Sequence, residues 1–157
     1  MYASKHAGRM SASRQLKESL LTILTAHDPD VVAHSRVVAD RAEALARTLA
    51  LPHTEREAVR LAAELHEVGR LTLPGSAPGP EVAAAGARLV GASPAIAHVA
   101  PLLAEMYSPW ASAPLGARIV AVADAYDGSA AALRAGDRFD PAVLDALETA
   151  SVPFVLS

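Results

Sequence analysis

Apolar side chains recur along this chain at helical spacing. Over residues 11–26, Leu16, Leu20, Ile23 and Leu24 predict an amphipathic helix, with Ser11 or Ser13 as its cap. The segment HDPD (27–30) interrupts the pattern. Asp28 or Asp30 can cap a second helix, and Pro29 is tolerated in its first turn. The stripe Val31, His34, Val38, Ala42, Leu45 and Leu49 carries that helix to about Ala50. After the connector 51–53, Thr54 and Glu57 have capping-box spacing. The helix behind them places Val59, Ala62, Ala63, His66 and Glu67 on one side and ends near Gly69. Three prolines and two glycines in LTLPGSAPGP (71–80) predict a loop. Short helices are expected at 81–90 and 94–106, the second kinked or split by Pro101. A second loop, YSPWASAP (107–114), holds the only tryptophan. Residues 115–134 are apolar almost all round near their middle and predict a buried helix, with Asp124 inside it. GDRFD (136–140) predicts a turn, Asp140 caps a last helix over 141–150, and VPFVLS is an apolar tail.

Composition agrees with this helical reading. Of 157 residues, 36 are alanine, the best helix former, and only 4% are aromatic. The expected fold is all-α, with six to eight helices and no sheet beyond a short segment in the tail. A net charge of −3 argues against non-specific nucleic-acid binding. The absence of cysteine excludes a disulfide framework, a thiolate metal site and a cysteine nucleophile. No apolar run has the length of a membrane span, and MYASKHAGRM is not a signal peptide. A cytoplasmic location is the expectation.

Three features stand out from the apolar stripes. His34 lies on one, His66-Glu67 closes another, and Asp124 interrupts the most buried helix. A carboxylate in an apolar helix is costly unless paired or metal-bound. Imidazole with carboxylate suits Mn, Fe, Zn or Mg. Each feature alone has an ordinary explanation. A single helical histidine is more often core or surface, and Asp124 could cap a helix end or accept a bond from Arg118. His6, His27, His53 and His98 fall in the tail, at helix ends or just before Pro101, and are not site candidates.

The order of these elements resembles the HD superfamily of metal-dependent phosphohydrolases, and within it the HD-GYP branch, whose members cleave cyclic di-GMP. The matching phrases are HSRVVADRAEALARTLAL (34–51), LAAELHEVGRLTLP (61–74), APLGARIVAVADAYDGSA (113–130) and GDRFDPAVLDAL (136–147). The resemblance implies a helical HD bundle over 30–157 and a metal held by His34, His66, Glu67 and Asp124. Asp30, one turn before His34, stands where an extra carboxylate ligand is found. Arg70 takes the place of a phosphate-contacting lysine. Two departures matter. Glu67 replaces the family's aspartate, one methylene shorter. The further histidines of active HD-GYP domains are missing, with Val82 and Leu103-Ala104 in their places and Glu105 remaining, and the Gly-Tyr-Pro loop is absent.

The first ten residues resemble the closing helix of a GGDEF diguanylate cyclase domain, through Tyr2, Lys5, Gly8 and Arg9. That resemblance implies a GGDEF domain upstream, a connecting helix over 11–29, and a place in cyclic di-GMP signalling. Two functions follow. In one, this is a degenerate HD-GYP domain, without a metal or with one weakly held, that dimerises, relays a signal or binds a cyclic dinucleotide. In the other, one Mn, Fe or Mg remains and a phosphoester is hydrolysed. A homodimer is expected, burying the 11–26 helix or the loop around Trp110.

Overall fold

A computed structural model describes residues 2–150, with side chains from residue 12 onward. Among the described residues it is all-helical, with eight α-helices and no strand. They are α1 (Tyr2–His27), α2 (Pro29–Thr48), α3 (His53–Leu65), α4 (Gly79–Gly91), α5 (Ala100–Ala104), α6 (Leu115–Ala125), α7 (Ala130–Arg134) and α8 (Pro141–Thr149). Short 3₁₀ turns occupy Val68–Thr72, Ala97–Val99 and Trp110–Ser112. The tail VPFVLS, the one place where the sequence left room for a short strand, lies outside the described residues, as do the side chains of Tyr2, Lys5 and Arg9.

The centre of the bundle is α2, which packs against α1, α3, α6 and α8. Its buried face is Val32, Ser35, Val38, Ala39, Arg41, Ala42, Leu45 and Ala46. Ala39, Ala42 and Ala46 of α2 and Ala62 and Ala63 of α3 are fully buried. Small side chains let helix axes approach closely, so the alanine content serves packing as well as helix propensity. Asp28 caps α2 by accepting bonds from the amides of Asp30 and Val31. Asp140 caps α8 through the amide of Ala142 at 2.9 Å.

Several boundaries differ from the sequence reading, each for a local reason. Helix α1 begins at Tyr2, so neither Ser11 nor Ser13 caps it. Its stripe divides: Leu24 enters the core beside Leu21, Leu16 and Leu20 lie at its margin, and Ile23 is half exposed. The capping box at Thr54 does not form. Helix α3 starts at His53 behind Pro52, whose carbonyl accepts the amide of Arg56, and Glu57 pairs with His53 at 3.1 Å. Pro101 sits in the first turn of the short α5, after the 3₁₀ turn 97–99. The predicted helix 115–134 breaks after Ala125. Tyr126 is extended, and Gly128 takes φ 110°, a conformation that favours glycine. Ser129 then caps α7 through the amide of Ala132.

Candidate metal centre

Three chain segments meet at one end of α2. Helix α3 ends at Leu65, and His66 is its C-cap residue. Glu67 follows, leading into the 3₁₀ turn Val68–Thr72. That turn is seated by a backbone approach: a Cβ on Gly69 would lie 2.1 Å from the Val82 carbonyl oxygen on α4. Only glycine fits there, and its place fixes where Glu67 and Arg70 project. The last turn of α6 supplies Asp124, and α2 supplies His34.

The four side chains converge. One ligand atom each from His34, His66, Glu67 and Asp124 all lie within 4.8 Å of one another. Asp124 Oδ1 faces His34 Nε2 at 2.9 Å and His66 Nε2 at 3.2 Å. Glu67 Oε1 lies 3.3 Å from the same His66 nitrogen. The two imidazole rings meet edge to face, with centroids 5.7 Å apart. His66 is buried at 3% exposure, while His34, Glu67 and Asp124 are partly open.

The tautomer of His66 follows from its partners. Nδ1 lies 2.7 Å from the Ala63 carbonyl, which can only accept, so Nδ1–H donates. Nε2 then faces two carboxylates. Without a metal it must carry a second proton, and with one it is the ligand atom. Donation from the far ring nitrogen to a carbonyl is the usual support for a metal-bound histidine. The donor chemistry therefore fits a divalent cation.

The charges compensate one another closely. Burial works against a charged His66, but its hydrogen bonds to Asp124 and Glu67 prevail and push it up to about 10. Burial would raise Asp124, yet its bonds to His34 and His66 hold it far below the usual carboxylate range. Glu67 is likewise lowered against burial, by His66 and then Arg70. Arg70 Nε donates to Glu67 Oε2. Tyr107, raised by burial and by the charge of Asp124, lies within reach of the cluster's field, with Arg138 opposing the shift.

The other sequence candidates are placed as follows. Asp30 is exposed in the first turn of α2 and is not among the converging four. Arg118 bonds Asp140 and the Ala113 carbonyl, leaving Asp124 to the histidines. His27, His53 and His98 are exposed, and His6 lies among the undescribed side chains. Val82 and Leu103 are buried at 1% and 0% exposure, so apolar core stands where the resemblance would put further ligands. Ala104 is exposed and Glu105 partly buried. Sequence reasoning passed over Arg41, a buried arginine whose bonds end on α6 and the residue after it. Its signal was a place on the apolar stripe, two turns beyond His34.

A profile of the HD domain family matches residues 31–129, more than half of the chain. The matched span runs from the first turn of α2 past the end of α6 and contains all four converging residues. No curated protein and no solved structure matches the chain. No helix among the described residues is long and apolar enough to cross a membrane.

Proposed function

The chain belongs to the HD domain family, within the metal-dependent phosphohydrolase superfamily, and from that premise we propose that it is a one-metal, degenerate member of the HD-GYP branch. Its role in this reading is regulatory: it binds a cyclic dinucleotide in a cyclic di-GMP signalling protein. The observation that carries the proposal is a complete donor set for one cation beside apolar core. His34, His66, Glu67 and Asp124 converge, while Val82 and Leu103 offer no donor for a second cation.

A bound Mn, Fe or Mg would supply Lewis-acid polarisation of a phosphoryl group. The chain's own residues do the rest. The Ala63 carbonyl fixes the His66 ring so that Nε2 faces the centre. Arg70 uses Nε on Glu67, and its remaining N–H groups are available to a phosphate oxygen. The GGDEF neighbour and the homodimer belong to the same proposal. Ile23 is half exposed on α1, beside the partly buried Leu20. A monomer by light scattering at tens of micromolar removes the dimer.

The test pairs metal content with turnover. The chain purified without chelators should carry up to one equivalent of Mn or Fe by emission spectrometry. Cyclic di-GMP should bind and remain uncleaved with either metal supplied. Conversion to linear dinucleotide or GMP, abolished by His66→Ala, would replace the regulatory reading with an active phosphohydrolase. The intact four-residue donor set favours that second reading. A chain that takes up no divalent metal overturns the one-metal centre and the active phosphohydrolase, and leaves the degenerate domain only in its metal-free form.

A further inference from the structure

We propose that Arg41 is a positioning residue of this centre, clamping the end of α6 so that Asp124 Oδ1 faces His34 and His66 together. The inference rests on the metal reading above. Arg41 is 5% exposed, on α2, two helical turns beyond His34. Its Nη1 donates to the Tyr126 carbonyl at 2.8 Å and to the Ala123 carbonyl at 3.4 Å. Those two carbonyls bracket Asp124 in sequence. The guanidinium carbon also lies 5.2 Å from the centroid of the Tyr126 ring.

The end of α6 needs such a partner. The helix stops at Ala125: the Tyr126 amide still bonds the Val122 carbonyl at 3.0 Å, but Tyr126 is extended, so the Ala123 carbonyl has no helical amide to follow. Buried carbonyls without partners are unfavourable, and a cation at a helix C-terminus is favoured by the helix dipole. Arg41 supplies donors and charge at once. Its bonds go to backbone oxygens rather than to a carboxylate. A buried cation is costly, and here it is spent on fixing one helix end.

That helix end matters because Asp124 has a demanding task. One oxygen must face two imidazoles at 2.9 and 3.2 Å. Metal sites tolerate only about ±0.2 Å in ligand distance, so a small rotation of a frayed last turn would spoil the set. Helix α2 therefore grips α6 twice, by His34 on the Asp124 side chain and by Arg41 on the backbone around it. Lysine could not replace this grip fully: an ammonium can donate to a carbonyl, but it lacks the planar guanidinium that brings Nη1 to both oxygens while lying against the Tyr126 ring.

The test uses the full chain with Arg41→Met, Arg41→Lys and, as a control for general destabilisation, Leu147→Ala on α8. Mn²⁺ affinity is measured by titration calorimetry at a temperature where circular dichroism finds each variant folded. The Nε2 ¹⁵N shifts of His34 and His66 are recorded in the metal-free chain at pH 7. Arg41→Met should weaken Mn²⁺ binding by about 10-fold or more and move both resonances. Arg41→Lys should recover part of the loss. Leu147→Ala should lower the melting temperature and leave both readouts in place. Folded Arg41→Met with unchanged affinity and resonances overturns the proposal. If Arg41→Met does not fold, unchanged readouts in Arg41→Lys overturn it instead. If the unmutated chain binds no Mn²⁺, the metal reading fails, and the imidazole resonances still decide Arg41: movement supports the clamp and constancy overturns it.

Discussion

Two neighbouring regions of the bundle treat burial in opposite ways. At the junction of α2, the end of α3 and α6, ionisable side chains persist because each has a partner. His66 lies between two carboxylates, Asp124 serves two imidazoles, and Glu67 is held by Arg70. Along α4 and α5 the interior is Val82, Ala83, Ala85, Val90 and Leu103, which require only packing. A polar cluster stands or falls as a network, since removing one partner leaves another charge uncompensated. An apolar cluster loses stability in proportion to what is removed. One centre can therefore be kept on this scaffold while the adjacent region contributes only to the core.

The largest expected effect follows from breaking the network. Asp124→Ala removes the oxygen shared by His34 and His66. Metal affinity should fall by more than about 100-fold, since even supporting residues are worth 10- to 100-fold. The metal-free chain should lose about 3 kcal/mol. Calorimetric titration and urea unfolding measure the two losses. An unchanged affinity would mean that the four residues do not form one centre.

Leu103→Ala is the matching change in the apolar region. Opening a cavity at a fully buried leucine should cost about 2–5 kcal/mol. The folded variant should keep its metal affinity within about threefold, since Leu103 contributes no ligand atom to the four-residue set and changes without a shared partner are close to additive. Loss of metal binding in a chain still folded by circular dichroism would show that the two regions are coupled.

The third prediction concerns pH. In the metal-free chain His66 is pushed up to about 10 from its usual 6.5. Its contribution to stability is fully present below pH 6.5 and is lost as pH rises through about 10. Asp124 and Glu67 are lowered, so their contribution is present above the usual carboxylate range and lost in acid. The metal-free chain should thus melt at a higher temperature at pH 6 than at pH 8.5. Metal competes with the proton on Nε2, so its apparent affinity should rise by up to about tenfold per pH unit. The melting-temperature gain from Mn²⁺ should accordingly be larger at pH 8.5. A metal-free chain more stable at pH 8.5 would contradict the paired arrangement of His66.

What could be read from the sequence divides along similar lines. Helices α2 and α8 were legible through Asp28, Pro29 and Asp140, because caps act within a few residues. The converging residues were visible as polar interruptions of apolar stripes. Thr54 misled because capping-box spacing says nothing of Pro52, which had already started the helix. The break at Tyr126–Gly128 was hidden by continuing helical propensity through Ala130–Arg134. Arg41 was least legible, since its partners lie 82 and 85 residues away and are backbone carbonyls, which no side-chain pattern reveals.

The smallest effect is expected from Glu67→Asp, and it sharpens the comparison most finely. Glu67 spans two partners, with Oε1 3.3 Å from His66 Nε2 and Oε2 on Arg70 Nε. The Gly69 turn fixes its backbone against α4, so the chain cannot simply slide forward to meet a shorter side chain. Aspartate, one methylene shorter, cannot hold both partners. The Arg70 contact is partly exposed, and its loss should cost less than about 1 kcal/mol. Metal affinity should weaken by roughly 10-fold, given the tight distance tolerance of such sites. Urea unfolding and Mn²⁺ titration separate the two consequences. Tighter binding in Glu67→Asp would mean that the backbone still suits the aspartate that the resemblance places here. The centre would then still be built for an aspartate, whereas weaker binding marks it as one fitted around glutamate.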